Sequence, residues 1–233
     1  LDIGIFSILG IGFILGIKHA VEPDHIIAVS TIASHTKKLW RTSLVGVFWG
    51  IGHTATLLAV GLGLILTKST LPDKWSGLLE FMVGGMLVYL GIVNLMSIRK
   101  KKTHLQQHQH GHEQHKHFLS KQSNSHNHTS YLKSLLIGLV HGLAGSAAMV
   151  LLTMSTVQTV WDGTLYILIF GLGTITGMLF FTTILGIPFV LSANNVNLKL
   201  TLTRITGAVS MLFGLYYMYS LGISDGLFQL WLK

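Results

Sequence analysis

Long apolar stretches dominate this chain, and six of them can be marked, at roughly 3–34, 43–67, 77–98, 132–158, 163–191 and 202–222. A stretch of about 20 apolar residues is enough for a helix to cross a hydrocarbon core of about 30 Å. In lipid every backbone N–H and C=O must be satisfied internally, and the alternating ten-residue segments of an outer-membrane barrel are missing. The pattern therefore predicts an all-α polytopic membrane protein with about six transmembrane helices.

A polar segment separates two halves that resemble each other. Leu15-Gly16-Ile17-Lys18-His19-Ala20 lines up with Ile137-Gly138-Leu139-Val140-His141-Gly142, and Thr31 then falls on Thr153. Trp49-Gly50-Ile51-Gly52 lines up with Phe170-Gly171-Leu172-Gly173, and Gly84 and Gly91 line up with Gly207 and Gly214. With three spans in each half, the halves must lie in opposite orientations, an architecture that recurs in secondary transporters. The expected division is a first repeat over 1–98, a loop over 99–131 and a second repeat over 132–233.

Composition agrees with lipid as the solvent. Only 10% of the 233 residues are charged, the mean hydropathy is +0.59, and a soluble domain would carry about 25% charged residues. The first segment lacks a basic leader and a small-residue cleavage site, so it is expected to remain in the membrane as a span. The net charge of +8 reflects topology and requires no nucleic-acid partner. Loops after spans one, three and five hold Lys37, Lys38, Arg41, Arg99 to Lys102, Lys116, Lys121, Lys133, Lys199 and Arg204, against Lys68, Lys74 and Lys233 on the other side. The positive-inside rule then predicts a cytoplasmic (inner) membrane protein with both termini outside and the middle loop in the cytoplasm. The basic run Arg99 to Lys102 also suits anionic membrane lipid.

Chemistry concentrates in the first span, where Lys18, His19, Glu22, Asp24 and His25 fall within eight positions. Each charge inside a bilayer costs at least roughly 2.5–3.5 kcal/mol on insertion scales, so such a cluster normally faces a cavity and has a function. A salt bridge between Lys18 and a carboxylate would account for the charges but not for the histidines. Pro23 lies among them and predicts a helix interrupted near 19–25, because proline removes a hydrogen bond and clashes with the preceding turn. On an unbroken helix His19 and His25 would occupy different faces, whereas a turn at Glu22-Pro23-Asp24 brings both to one centre. His53 in the second span and His141 in the fourth are further candidates. Imidazole with carboxylate suits nickel, cobalt, zinc or copper better than magnesium or calcium. The chain has no cysteine, so thiolate sites, disulfides and cysteine nucleophiles are excluded.

His19-Ala20-Val21-Glu22-Pro23-Asp24-His25 resembles the His-x-x-x-x-Asp-His signature of the nickel/cobalt transporter family, and Phe48 to Thr54 resembles its Gly-His-Ser/Thr motif. The resemblance implies that His19, Asp24 and His25 bind metal and that His53 assists, with Glu22, His141 and Lys18 as secondary candidates. The acidic motifs of that family's second half are absent, and Gly138 to Ala148 is similar to the shorter urease-linked nickel permeases. The middle loop carries His104, His108, His110, His112, His115, His117, His126 and His128, expected to collect metal weakly at several points.

Together these features predict a secondary transporter of divalent nickel or cobalt, not an enzyme, with the metal as substrate and no cofactor. A cytoplasmic metal-delivery partner is compatible with it. An exporter of the same metals and a membrane-embedded metalloenzyme are the alternatives. The enzyme lacks a His-Glu-x-x-His motif, and no Walker-type loop is present.

Overall fold

The computed structural model describes residues 3–102, 131–145 and 159–232. These are almost wholly helical, and no strand occurs among them. The elements are α1 (Ile3–His19), α2 (Pro23–Ala33), α3 (Leu39–Thr67) and α4 (Asp73–Lys102) in the first half. The second half has α5, described from Tyr131 to Gly145, then α6 (Val160–Leu191), α7 (Val196–Tyr219) and α8 (Leu227–Leu232). Four helices are long and apolar enough to cross a membrane, within Leu39–Thr67, Asp73–Ser97, Val160–Asn194 and Val196–Ser224. The 146–158 part of the predicted fourth span, with Thr153, lies outside the described residues, as do all eight loop histidines.

The predicted first span is two helices. Val21 and Glu22 tighten the end of α1 by donating to the Lys18 and His19 carbonyls. Glu22 is extended (φ −61°, ψ 144°), as the residue before a proline prefers, and Pro23 opens α2 in the first turn, where a missing N–H costs nothing. The chain thus turns at Ala20 to Glu22, slightly before the Glu22-Pro23-Asp24 turn read from the sequence, because proline starts the second helix instead of kinking one continuous helix.

The surface distribution is that of a bundle in lipid. Large apolar side chains such as Ile14 (66%), Phe180 (60%) and Leu212 (62%) are exposed, whereas Thr31, Thr42, Asn94, Thr174 and Ser210 are buried. Helices that gain nothing by hiding leucine from lipid associate through close backbone approach and interhelical hydrogen bonds. Ser134 donates to the Val45 carbonyl, Thr56 to Leu139, and Ser210 to Leu87.

Glycines set the crossings, and they do so in exchanged pairs. A side chain at Gly16 would collide with the Phe170 carbonyl, and one at its counterpart Gly138 with the carbonyl of Trp49, the counterpart of Phe170. Gly50 meets Ile175 while Gly171 meets Thr54, and Gly84 packs on Gly214 while Gly91 packs on Gly207. When position a touches b′ and a′ touches b, the two halves are related by a two-fold axis, the relation expected of inverted repeats. This symmetry carries α1 against α6, α5 against α3, and α4 antiparallel to α7, and it brings His19 and His141 to one centre from opposite halves.

Candidate metal centre

Four histidines meet where α1 breaks. His19 is the last residue of α1, His25 lies in the first turn of α2, His53 is on α3, and His141 is on α5. Their rings form a chain of contacts with His25 at its middle. Its centroid is 4.6 Å from His19, 5.3 Å from His53 and 4.1 Å from His141. His25 and His53 are fully buried and His141 nearly so.

Two carboxylates orient these rings. Glu22 Oε2 lies 2.9 Å from His19 Nδ1. Asp24 accepts from His25 Nδ1 through Oδ1 at 3.1 Å and from His141 Nε2 through Oδ2 at 2.8 Å. Asp24 sits in the first turn of α2, where the positive end of the helix dipole favours a negative charge. A carboxylate bonded to one ring nitrogen fixes the tautomer and leaves the lone pair of the other nitrogen for a metal.

The remaining nitrogens fit that arrangement. His19 Nε2 and His53 Nε2 face each other at 3.1 Å. His25 Nε2, His53 Nδ1 and His141 Nδ1 are buried without a hydrogen-bond partner. Leaving a buried polar atom unsatisfied costs about 1–3 kcal/mol, so each of the three calls for a partner. One ligand atom from each of His19, His25 and His53 lies within 4.8 Å of the others, and the same holds for Asp24, His25 and His141. The donor set is imidazole with one carboxylate, the borderline chemistry of late first-row divalent ions.

The centre opens into a cavity of about 310 Å³ lined by Lys18, His19, Glu22, Asp24, His25 and His141, and on its other walls by Phe170, Glu80 and Tyr217. Trp49, completely buried, closes the far side with its ring 6.2 Å from His25 and 5.5 Å from His141. The structure therefore assembles His19, Asp24, His25 and His53 and draws in Glu22 and His141. Lys18 lines the cavity but bridges no carboxylate among the described residues.

Glu80 was missed by the sequence reading, although it lies inside the predicted span 77–98 and meets the same test of an ionisable group at membrane depth. Tyr217 carried no comparable signal.

Asp24→Asn tests the orienting role, because an amide can accept from one histidine but presents N–H to the other. The dissociation constant for a late first-row divalent ion, measured by titration of the purified protein, is expected to rise by about 10–100-fold, the usual cost of losing an outer-shell partner. An unchanged dissociation constant would remove Asp24 from the centre.

The chain is 54% identical over 232 residues to the urease accessory protein UreH of Bacillus sp. (strain TB-90), an alignment covering 100% of this chain and 99% of the relative. Residues 27–216 match the protein family described as cytochrome C biogenesis protein transmembrane region. That match begins after His25, so it covers the helical scaffold and not the histidine turn. No solved structure matches the chain.

Proposed function

Because the chain belongs to the cytochrome C biogenesis protein transmembrane region family and is a close relative of a urease accessory protein, we propose that it is a secondary carrier taking divalent nickel or cobalt into the cell across the cytoplasmic membrane. The observation that carries this reading is the buried four-histidine centre at a helix break, with unpartnered ring nitrogens and with His19, His25 and His141 lining a cavity. The link to urease in the relative's name agrees with the similarity of Gly138 to Ala148 to the urease-linked nickel permeases, and together these favour nickel. With no cysteine, thiol–disulfide exchange is outside the chain's own chemistry.

A hydrated divalent ion enters the cavity and exchanges its waters for the nitrogens of His19, His25, His53 and His141, while Asp24 and Glu22 hold the rings in register. Protonation of these imidazoles competes with metal for the same lone pairs, so acid should weaken binding. Alternating access follows from the two-fold relation of the halves, because each crossing has a counterpart in the other half. The cavity residues Glu80 near the start of α4, Tyr217 near the end of α7 and Phe170 in the first half of α6 share one end of the bundle. By the charge distribution that end faces outward, which fits loading of the site from outside. The histidines from His104 to His128 then collect metal on the cytoplasmic side.

Cellular nickel measured with and without expression tests the proposal. Expression should raise it. A fall would make the protein an exporter, and no change would end the carrier reading.

A further inference from the structure

Glu80 is a cavity carboxylate that the histidine centre does not use. It stands on α4, and the wall it shares with Val83 and with Tyr217 of α7 is separate from the helices that supply the histidines. The other two cavity carboxylates are engaged, Glu22 with His19 and Asp24 with His25 and His141. Glu80 makes no hydrogen bond or ion pair among the described residues.

It is nevertheless half-buried, in a helix that crosses the membrane. An ionisable group kept at that depth without a structural partner marks an ion path. The same cavity is lined by His25, which is fully buried and whose Nε2 has no partner, so Glu80 and an imidazole that lacks a ligand line one space. Lys18 also lines this space, and its ammonium opposes the entry of a cation unless a negative charge stands nearby.

We propose that Glu80, with Tyr217 lining the same cavity, forms a second cation station, which holds the hydrated divalent metal before its waters are exchanged for imidazole. The two stations divide the work by ligand chemistry. Hard carboxylate and phenol oxygens hold an ion through its water shell, whereas borderline nitrogen competes for the bare ion. The station rests on the carrier reading and adds to it a capture step that sets the affinity for external metal.

The test is the initial rate of nickel entry into proteoliposomes over a range of nickel concentrations, at matched protein content. Glu80→Gln is expected to raise the half-saturating concentration about tenfold and leave the maximal rate within about twofold, because it removes one charge from capture and none from the histidine centre. Glu80→Asp should recover part of the affinity. A Glu80→Gln curve matching wild type would overturn the station. So would loss of transport at saturating nickel, which would place Glu80 in the main site or the packing. Recovery in the Lys18→Met/Glu80→Gln double variant would also overturn it, by reducing Glu80 to a counter-ion for Lys18. If wild-type protein itself moves no nickel, the carrier reading fails and the station falls with it. If wild type transports and Glu80→Gln does the same, only the station falls.

Discussion

Nickel transport by His25→Ala is expected to fall at least about 100-fold at every nickel concentration, beyond the 10–100-fold typical of losing an outer-shell partner. His25 is the one residue common to both candidate ligand groups, and it is the ring that touches His19, His53 and His141. Its loss removes a donor from each group and leaves Asp24 Oδ1 without its histidine partner. Packing should survive, because the crossings around the centre are made by backbone contacts at Gly16, Gly52, Gly138 and Gly173 and not by the imidazole. Uptake of radioactive nickel, normalised to the amount of protein in the membrane, checks this. A variant keeping more than a tenth of wild-type transport would move the centre elsewhere.

Gly91→Leu should prevent stable folding. A Cβ at Gly91 would lie 2.6 Å from both the Gly207 carbonyl oxygen and the Met211 amide nitrogen, so α4 and α7 would have to separate along the crossing they share. Overpacking a tight contact costs about 1–3 kcal/mol and sometimes more, and here the obstacle is backbone that cannot change rotamer. Gly85→Leu is the matched control, since a Cβ at Gly85 has nothing within 4 Å. In detergent the first variant should aggregate or run as a broad species on size exclusion, while the second stays monodisperse. Equal behaviour of the two would contradict the α4–α7 packing.

Much of this architecture was legible in the chain. The apolar spans marked α3, α4, α6 and α7, Pro23 marked the broken first span, and the glycine pairs that marked the repeat now stand at helix crossings. The reason is local: apolar length, a missing N–H and a missing side chain each act where they stand. Membership of the centre was harder to read. His141 has glycine and alanine neighbours and looked secondary, yet it donates to Asp24 at 2.8 Å, because the exchanged packing of α5 on α3 carries it there from the other half. No local signal encodes such an exchange. The ligand set is also lopsided: at the offset that pairs His19 with His141, His25 meets Ala147, and at the offset that pairs Trp49 with Phe170, His53 meets Thr174. The repeats therefore share a scaffold, while three of the four histidines come from the first half.

Asp24 shows a second limit of spacing. Its place in the His-x-x-x-x-Asp-His signature implied a ligand; spacing did not show that its two oxygens also hold His25 and His141, with which it forms one group able to take an ion. Only the turn at Ala20 to Glu22, which sets α2 at an angle to α1, decides which atoms face the centre.

The most direct test of the central claim is nickel flux into sealed vesicles containing the purified protein and nothing else. The account predicts saturable entry above that of empty vesicles, lost in vesicles carrying His25→Ala. Entry no faster than into empty vesicles, with the protein folded and inserted, would contradict it.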